Sequence, residues 1–389
     1  MLRFLGCLMV AGFLLAQRAP VDEAWDLLAN GQRGQAVLVL RRIVSANPRD
    51  AEARLMLGSI LAEEGNRSES LEQLEEAVRL RPRSAQAHHA LGEALRRFGE
   101  APAAREAFEK AVVLDPRFAQ AQADLGLALL EAGEPSAAAE HLDQAILIFG
   151  RDPDSAYARY LRAKIHAECG EVDQATAQLT AAVSLQPDFA EAWSDLGQAK
   201  KTRLDDAGAL AAFEQSVKAD PANAVSQYRL GSEYLRQKKV SLAVLHLRGA
   251  YRLDPRNQST LYSLQLALRQ DGQLEQAARI KEELTALLRE IDRESQSAFV
   301  ALRLNNEGAV REKAGDLPGA LEKYRGALAL DPEHVGIRLN FAAALIRLGR
   351  WKEGLSELRE ALRRDPGNTQ IQTALENALK QAPPEAAKE

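Results

Sequence analysis

The chain lacks most of what compact catalytic or nucleic-acid-binding modules need. Two cysteines in 389 residues exclude a disulfide scaffold and a Cys-rich zinc module. Aromatic residues make up only 5%, with 10 Phe, 7 Tyr and 3 Trp. The formal net charge is -5, from 50 Lys+Arg against 55 Asp+Glu. No broad basic field exists to hold a polyanion, so nucleic acid is not an expected partner. The six histidines stand singly apart from His88 and His89 and form no ligand spacing such as H-E-x-x-H, so neither a metal nor a cofactor is expected. There is no Gly-rich phosphate loop and no nucleophile elbow, and the chain reads as a non-enzyme without catalytic residues. Acidic pairs such as Glu72 and Glu76 read as solvated helix surface. What is present is 46% hydrophobic and 27% charged residues, the balance of an ordered helical protein rather than a disordered one.

Residues 1–16 read as a signal peptide. Arg3 gives a positive start, Phe4 to Leu15 is apolar or small, and Ala16 or Ala19 offers a cleavage residue. The run is too short to span a hydrocarbon core of about 30 Å, so no stable membrane span is expected after cleavage. The expectation is an exported protein, periplasmic or secreted and bacterial in composition, with anchoring by an uncleaved N-terminal segment as the alternative. Cys169 would then be the one cysteine of the mature chain, either a small buried residue or a free thiol.

Self-similarity carries the fold. Ala51-Glu52-Ala53, Ala85-Gln86-Ala87 and Ala119-Gln120-Ala121 recur at steps of 34 residues, and Ala190-Glu191-Ala192 repeats the motif. Gly58, Gly92, Gly126, Gly197 and Gly231, each preceded by Leu, keep the same phase. Twelve residues after each comes Ser70, Ala104, Ala138, Ala209 or Ala243. Side chains with little beyond Cβ let two helix backbones approach, so these positions are expected at helix crossings. Units close on proline, from Pro48 and Pro82 to Pro332 and Pro366, which cannot continue a helix. Gly65, Gly99, Gly133, Gly170, Gly272, Gly315 and Gly349 are expected in the turn between paired helices, where positive φ favours glycine. No single unit can bury its own apolar face, so stacking makes the core.

This pattern resembles the tetratricopeptide repeat (TPR), a 34-residue unit with Trp, Leu, Gly and Tyr in its first helix and Ala with an aromatic in its second. Ala190 to Asn223 carries Trp193, Leu196, Gly197, Ala209, Phe213 and Pro221, and Ala301 to His334 carries Gly308, Ala320, Tyr324, Ala327 and Pro332. The resemblance implies an all-α fold, a right-handed superhelical solenoid of antiparallel helix pairs. It divides the chain into an array of about eight units over 17–291, an inserted joint at 292–300, two units over 301–368, a capping helix at 369–381 and a disordered tail at 382–389. The unit from Gln258 departs from the pattern, with Gln265 in place of Gly, Lys281 in place of an aromatic or Leu, and Arg289 in place of Pro. The spacing of Ile280, Leu284, Leu287 and Ile291 predicts a second helix reaching about Glu294, with Ser295-Gln296-Ser297 opening the next. The stretch reads as a tolerated insertion, as a joint between two arrays, or as a ridge for a homodimer over 280–291.

In such solenoids the first helices line a concave surface. The resemblance implies inward-facing side chains at the second, fifth, ninth, twelfth and thirteenth places of each unit. Those places or their neighbours hold Arg96, Arg97, Tyr157, Tyr160, Lys164, Lys201, Tyr228, Arg236, Tyr262 and Arg269. Tyr beside Arg or Lys suits a protein contact surface; the plainer alternative is that Tyr160 or Tyr228 fills space between helices. Asn305, Asn306 and Asn340 match neither a carboxylate clamp nor an asparagine ladder. The expected function is a non-catalytic scaffold holding a partner peptide or helix in the groove. The alternatives are an accessory or assembly subunit of a cell-envelope or secretion complex docking through its convex face, and a repeat domain serving a separate carbohydrate-modifying enzyme.

Overall fold

The computed structural model describes residues 21–386. The signal read over 1–16 and the last part of the expected tail, 387–389, lie outside the described residues. Among the described residues there are twenty α-helices and no strand. They run as pairs such as Ala51–Glu63 with Arg67–Leu80 and Ala190–Thr202 with Asp206–Ala219, and packing is chiefly between neighbours in sequence. The chain separates into two compact units, one up to Leu230 and one from Gly231 onward, a boundary well before the expected joint.

The small residues sit where helices cross. A Cβ added to Gly58 would lie 2.6 Å from Leu74, one added to Gly92 2.6 Å from Phe108, and one added to Gly308 2.7 Å from Tyr324. In each case the side chain sixteen residues further on fills the space that glycine leaves, and Phe108, Phe213 and Tyr324 are almost wholly buried there. Ser70 adds a buried bond, donating its hydroxyl to the Gly58 carbonyl at 2.8 Å. The turn glycines have φ between +76° and +84°. The next amide then reaches back five residues, as from Asn66 to the Leu61 carbonyl at 2.9 Å, which closes the helix end. Two units use a side-chain-bearing residue at this position, Leu204 at φ +62° and Lys238 at φ +59°.

A second regularity runs through the closing prolines. Except at Pro255, where Leu261 has no donor, the side chain six residues on donates to the proline carbonyl: Arg54 to Pro48 at 2.8 Å, Gln122 to Pro116 at 2.9 Å, Trp193 to Pro187 at 2.9 Å and Gln227 to Pro221 at 2.9 Å. Arg338 and Gln372 do the same to Pro332 and Pro366. His88 Nε2 lies 3.1 Å from the Pro82 carbonyl, and because a carbonyl only accepts, that nitrogen carries the hydrogen. This is the Trp place of the repeat signature, and the turn asks of it a long side chain with a donor rather than an indole. The scarcity of tryptophan follows.

The departing unit corrects the expected helix boundary. Leu274–Lys313 is one helix of 40 residues, continuous through Ser295-Gln296-Ser297, so no helix starts there and 292–300 is helical. With neither Gly nor Pro to stop it, the backbone ladder simply continues. Ile280 and Leu287, weighed as part of a dimer ridge, are 8% and 7% exposed, while Leu288 and Ile291 are exposed. Cys169, weighed as a small buried residue, is exposed because it caps the end of Ser155–Glu168. At the C-terminal end Thr369–Gln381 packs on Trp351–Arg364 with Ile371 fully buried. Ala386, inside the segment expected as disordered tail, is buried.

Candidate functional site

Helix Ser155–Glu168 presents Tyr157, Tyr160 and Lys164 at spacings of three and four, hence on one face. Tyr157 is 44% exposed, Tyr160 half-buried and Lys164 exposed. Phe189, which precedes the next first helix, completes an aromatic shelf: its ring centre lies 4.9 Å from that of Tyr160 and 6.4 Å from that of Tyr157, with 6.3 Å between the tyrosines. Lys164 Nζ sits 5.9 Å from the Tyr160 ring centre, within cation–π range. Burial, then the neighbouring Asp195 carboxylate that accepts from its hydroxyl, push Tyr160 far above the usual phenol range. Asp195 also accepts from Arg229 at 2.7 Å.

Beside this shelf a cavity of about 510 Å³ opens between the first helices Ser155–Glu168 and Ala190–Thr202. Its floor is apolar, with Ala163, Ala175, Leu179 and Ala199, and its rim carries Lys164, Asp195, Gln198 and Thr202. An apolar floor with a few polar groups at the mouth suits an apolar side chain whose own backbone stays hydrogen-bonded.

The other expected contact residues are spread out. Arg96 and Arg97 are exposed on the last turn of Ala85–Arg97. Burial raises the Tyr157 hydroxyl pKa, and Arg96 opposes that rise. Lys201 and Tyr228 are half-buried on the two following first helices. In the second compact unit Arg236 is ion-paired at 2.5 Å with the buried Glu233 of its own helix, while Tyr262, 59% exposed, and Arg269 face solvent. Of the ten residues, the structure joins Tyr157, Tyr160 and Lys164 into one surface, with Arg96 near its edge.

Successive first helices are tied by side-chain bonds between positions 35 residues apart. His89 Nε2 meets Asp124 at 2.7 Å, Arg229 donates to Ser194 at 2.8 Å, and Asn340 donates to Asn305 at 2.9 Å. Tyr160 to Asp195 repeats the spacing. Around His89 the carboxylates gather: Glu93 lies 3.6 Å from its Nδ1, and the ligand atoms of His89, Glu93 and Asp124 are all within 4.8 Å of one another. Burial raises the Glu93 pKa, Asp124 adds to the rise, and His89, Arg96 and Arg97 oppose it. Sequence reasoning missed this group, although His89 and Glu93 stand at the fifth and ninth places that mark the inner face. It also missed Phe189, which lies just outside its unit.

Antiparallel helix pairs, glycine at each crossing and a proline-closed turn define a helical repeat protein. Two family models described as tetratricopeptide repeat match, one over residues 21–69, 61–119, 89–156 and 205–258 and one over 129–199 and 312–386. The chain belongs to the tetratricopeptide repeat family. The matched segments skip 259–311, most of the departing unit and the long helix. Among curated proteins it is 25% identical over 186 residues to cellulose synthase operon protein C of Pseudomonas fluorescens (strain SBW25), covering 47% of this chain but 14% of that one. Among solved structures, PilF of Pseudomonas aeruginosa is 19% identical with a TM-score of 0.50, covering 55% of this chain and 97% of its own. A tetratricopeptide repeat protein of Parabacteroides merdae ATCC 43184 is 17% identical with a TM-score of 0.47, covering 64% and 97%. The PilF structure shares the fold. Among the described residues no helix is long and apolar enough to cross a membrane.

Proposed function

We propose that the chain is a non-catalytic protein-interaction scaffold that holds an extended segment or helix of a partner protein on the face formed by Tyr157, Tyr160, Phe189 and the adjoining cavity. The observation that carries this reading is an aromatic shelf left open to solvent beside an apolar-floored cavity rimmed by Lys164 and Asp195. Tyrosine gives a large contact area at low entropic cost, and Lys164 adds a charge for a carboxylate of the partner. Affinity per contact is modest and sums along the array. The apolar run Phe4 to Leu15 supports export as the setting, with an uncleaved anchor as the alternative. The test is capture from the native host by the wild-type chain and by Tyr157→Ala/Lys164→Glu. The double variant should lose the captured protein while keeping its helicity; equal capture removes this face from the reading.

A second reading is favoured by the similarity to cellulose synthase operon protein C, of which this chain spans 14%. In it the chain serves, as an accessory subunit, an envelope assembly or a carbohydrate-modifying enzyme on another chain. Co-purification with such an assembly that survives the double variant would favour it.

A further inference from the structure

We infer that His89, Glu93 and Asp124 form a binding site for one divalent transition-metal cation, with zinc as the best-fitting ion. His89 and Glu93 lie four residues apart on Ala85–Arg97, a spacing that aims two side chains at one point. Asp124 enters from the next first helix, Ala119–Glu131. One imidazole nitrogen and two carboxylate oxygens lie within 4.8 Å of one another, with Asp124 against Nε2 and Glu93 against Nδ1; the exposed Glu93 side chain swings to the Nε2 side for all three to reach ligand distances of about 2.0–2.2 Å around a shared ion. Imidazole with carboxylates selects zinc and its neighbours over magnesium or calcium, which prefer an all-oxygen set.

The surroundings favour this assignment over a plain hydrogen bond. The His89 side chain is 10% exposed, and the rings of Phe118 and Phe108, centred 4.8 Å and 5.6 Å away, fix its plane. Two carboxylates, Asp124 and Glu93, flank one imidazole there, and a dication compensates both anions at once. Arg96 and Arg97 weaken the field that a cation would feel, but neither makes an ion pair with Glu93 or Asp124 among the described bonds. On binding, the Nε2 lone pair goes to the metal and the hydrogen of the neutral imidazole resides on Nδ1, so Asp124 changes from hydrogen-bond partner to ligand. Glu93, with 53% of its side chain exposed, leaves one side of the ion open to water or to a donor from another molecule.

Tag-free protein stripped with EDTA and titrated with zinc chloride against a fluorescent zinc indicator tests the assignment. One equivalent should bind in the micromolar range or tighter. Glu93→Gln, an exposed change that spares the fold, should weaken it by about 10-fold or more, a direct ligand being worth at least as much as the outer-shell partners for which that loss is typical, and His89→Gln should abolish it. His166→Gln, which alters the pair of His166 with Glu171, should leave it unchanged, with circular dichroism confirming each fold. No uptake at tens of micromolar zinc, uptake indifferent to Glu93→Gln and His89→Gln, or uptake lost in His166→Gln instead would each overturn the site.

Discussion

Alanine in place of Gly197 would put a methyl carbon 2.5 Å from Phe213 Cε1, 2.6 Å from Cδ1 and 3.0 Å from Cζ, against about 3.5–4.0 Å for an unstrained carbon contact. Phe213 is 1% exposed, so its ring has no solvent to swing into. Helix propensity alone favours Ala over Gly by about 1 kcal/mol. Overpacking costs about 1–3 kcal/mol, and three ring atoms in overlap place this site at the upper end, for a net loss of about 1–2 kcal/mol. Phe213→Ala should cost about 3–5 kcal/mol, and the double variant should fall short of the sum by at least about 1 kcal/mol, since the new methyl enters space that the ring has vacated. Gly34→Ala is the control: nothing lies within 4 Å of its added Cβ, and it should gain about 0.5 kcal/mol. The readout is urea unfolding by far-UV circular dichroism, together with amide exchange over residues 190–219, because stacked repeats need not unfold as one two-state unit. A Gly197→Ala chain as stable as the parent, or strict additivity with Phe213→Ala, would refute the account of the crossings.

Leu204→Gly and Lys238→Gly, at the two left-handed turn positions that lack glycine, should each stabilise by about 1 kcal/mol; loss of stability on thermal melting would contradict the strain. His88→Gln keeps a donor for the Pro82 carbonyl and should change stability by less than about 0.5 kcal/mol, whereas His88→Leu should cost about 1 kcal/mol or more; equal effects of the two would show that the bond is idle. Burial lowers the His141 pKa from its ordinary 6.5, with Glu140 and Glu109 opposing, and its Nδ1 bonds to Gln122 at 2.7 Å. The unfolded chain therefore takes up this proton first. The contribution is complete above pH 6.5 and is lost as pH falls through the lowered folded value. Chemical denaturation across that range should show a slope that His141→Gln flattens, and an unchanged slope would contradict it.

The parts of the fold legible in the sequence are those where a residue type has a single physical cause. Glycine at Gly58 or Gly197 is explained only by a close approach, and Gly65 or Gly99 only by a left-handed turn, so both were readable. The proline-carbonyl bond was not, because Arg54, His88, Gln122 and Trp193 share a donor and a reach but no residue identity. Ser295-Gln296-Ser297 resembles a helix start, yet serine is tolerated within a helix when nothing ends it, and the 40-residue helix runs through. At the site, phase along one helix was enough to find Tyr157, Tyr160 and Lys164. Phe189 stands just before the following unit and Asp124 lies within the unit after that of His89, and only the stacking of helices reveals what they meet.

The proposal that matters most for function is that the Tyr157–Tyr160–Phe189 face engages a protein. A photoreactive phenylalanine derivative in place of Gln198, which lines the adjoining cavity, tests it in the native host, with Val113, 79% exposed on helix Ala101–Leu114, as the control position. The account predicts a discrete crosslinked partner from position 198, none from position 113, and loss of the adduct in the Tyr157→Ala/Lys164→Glu background. No adduct at 198, or the same adduct from both positions, would contradict it.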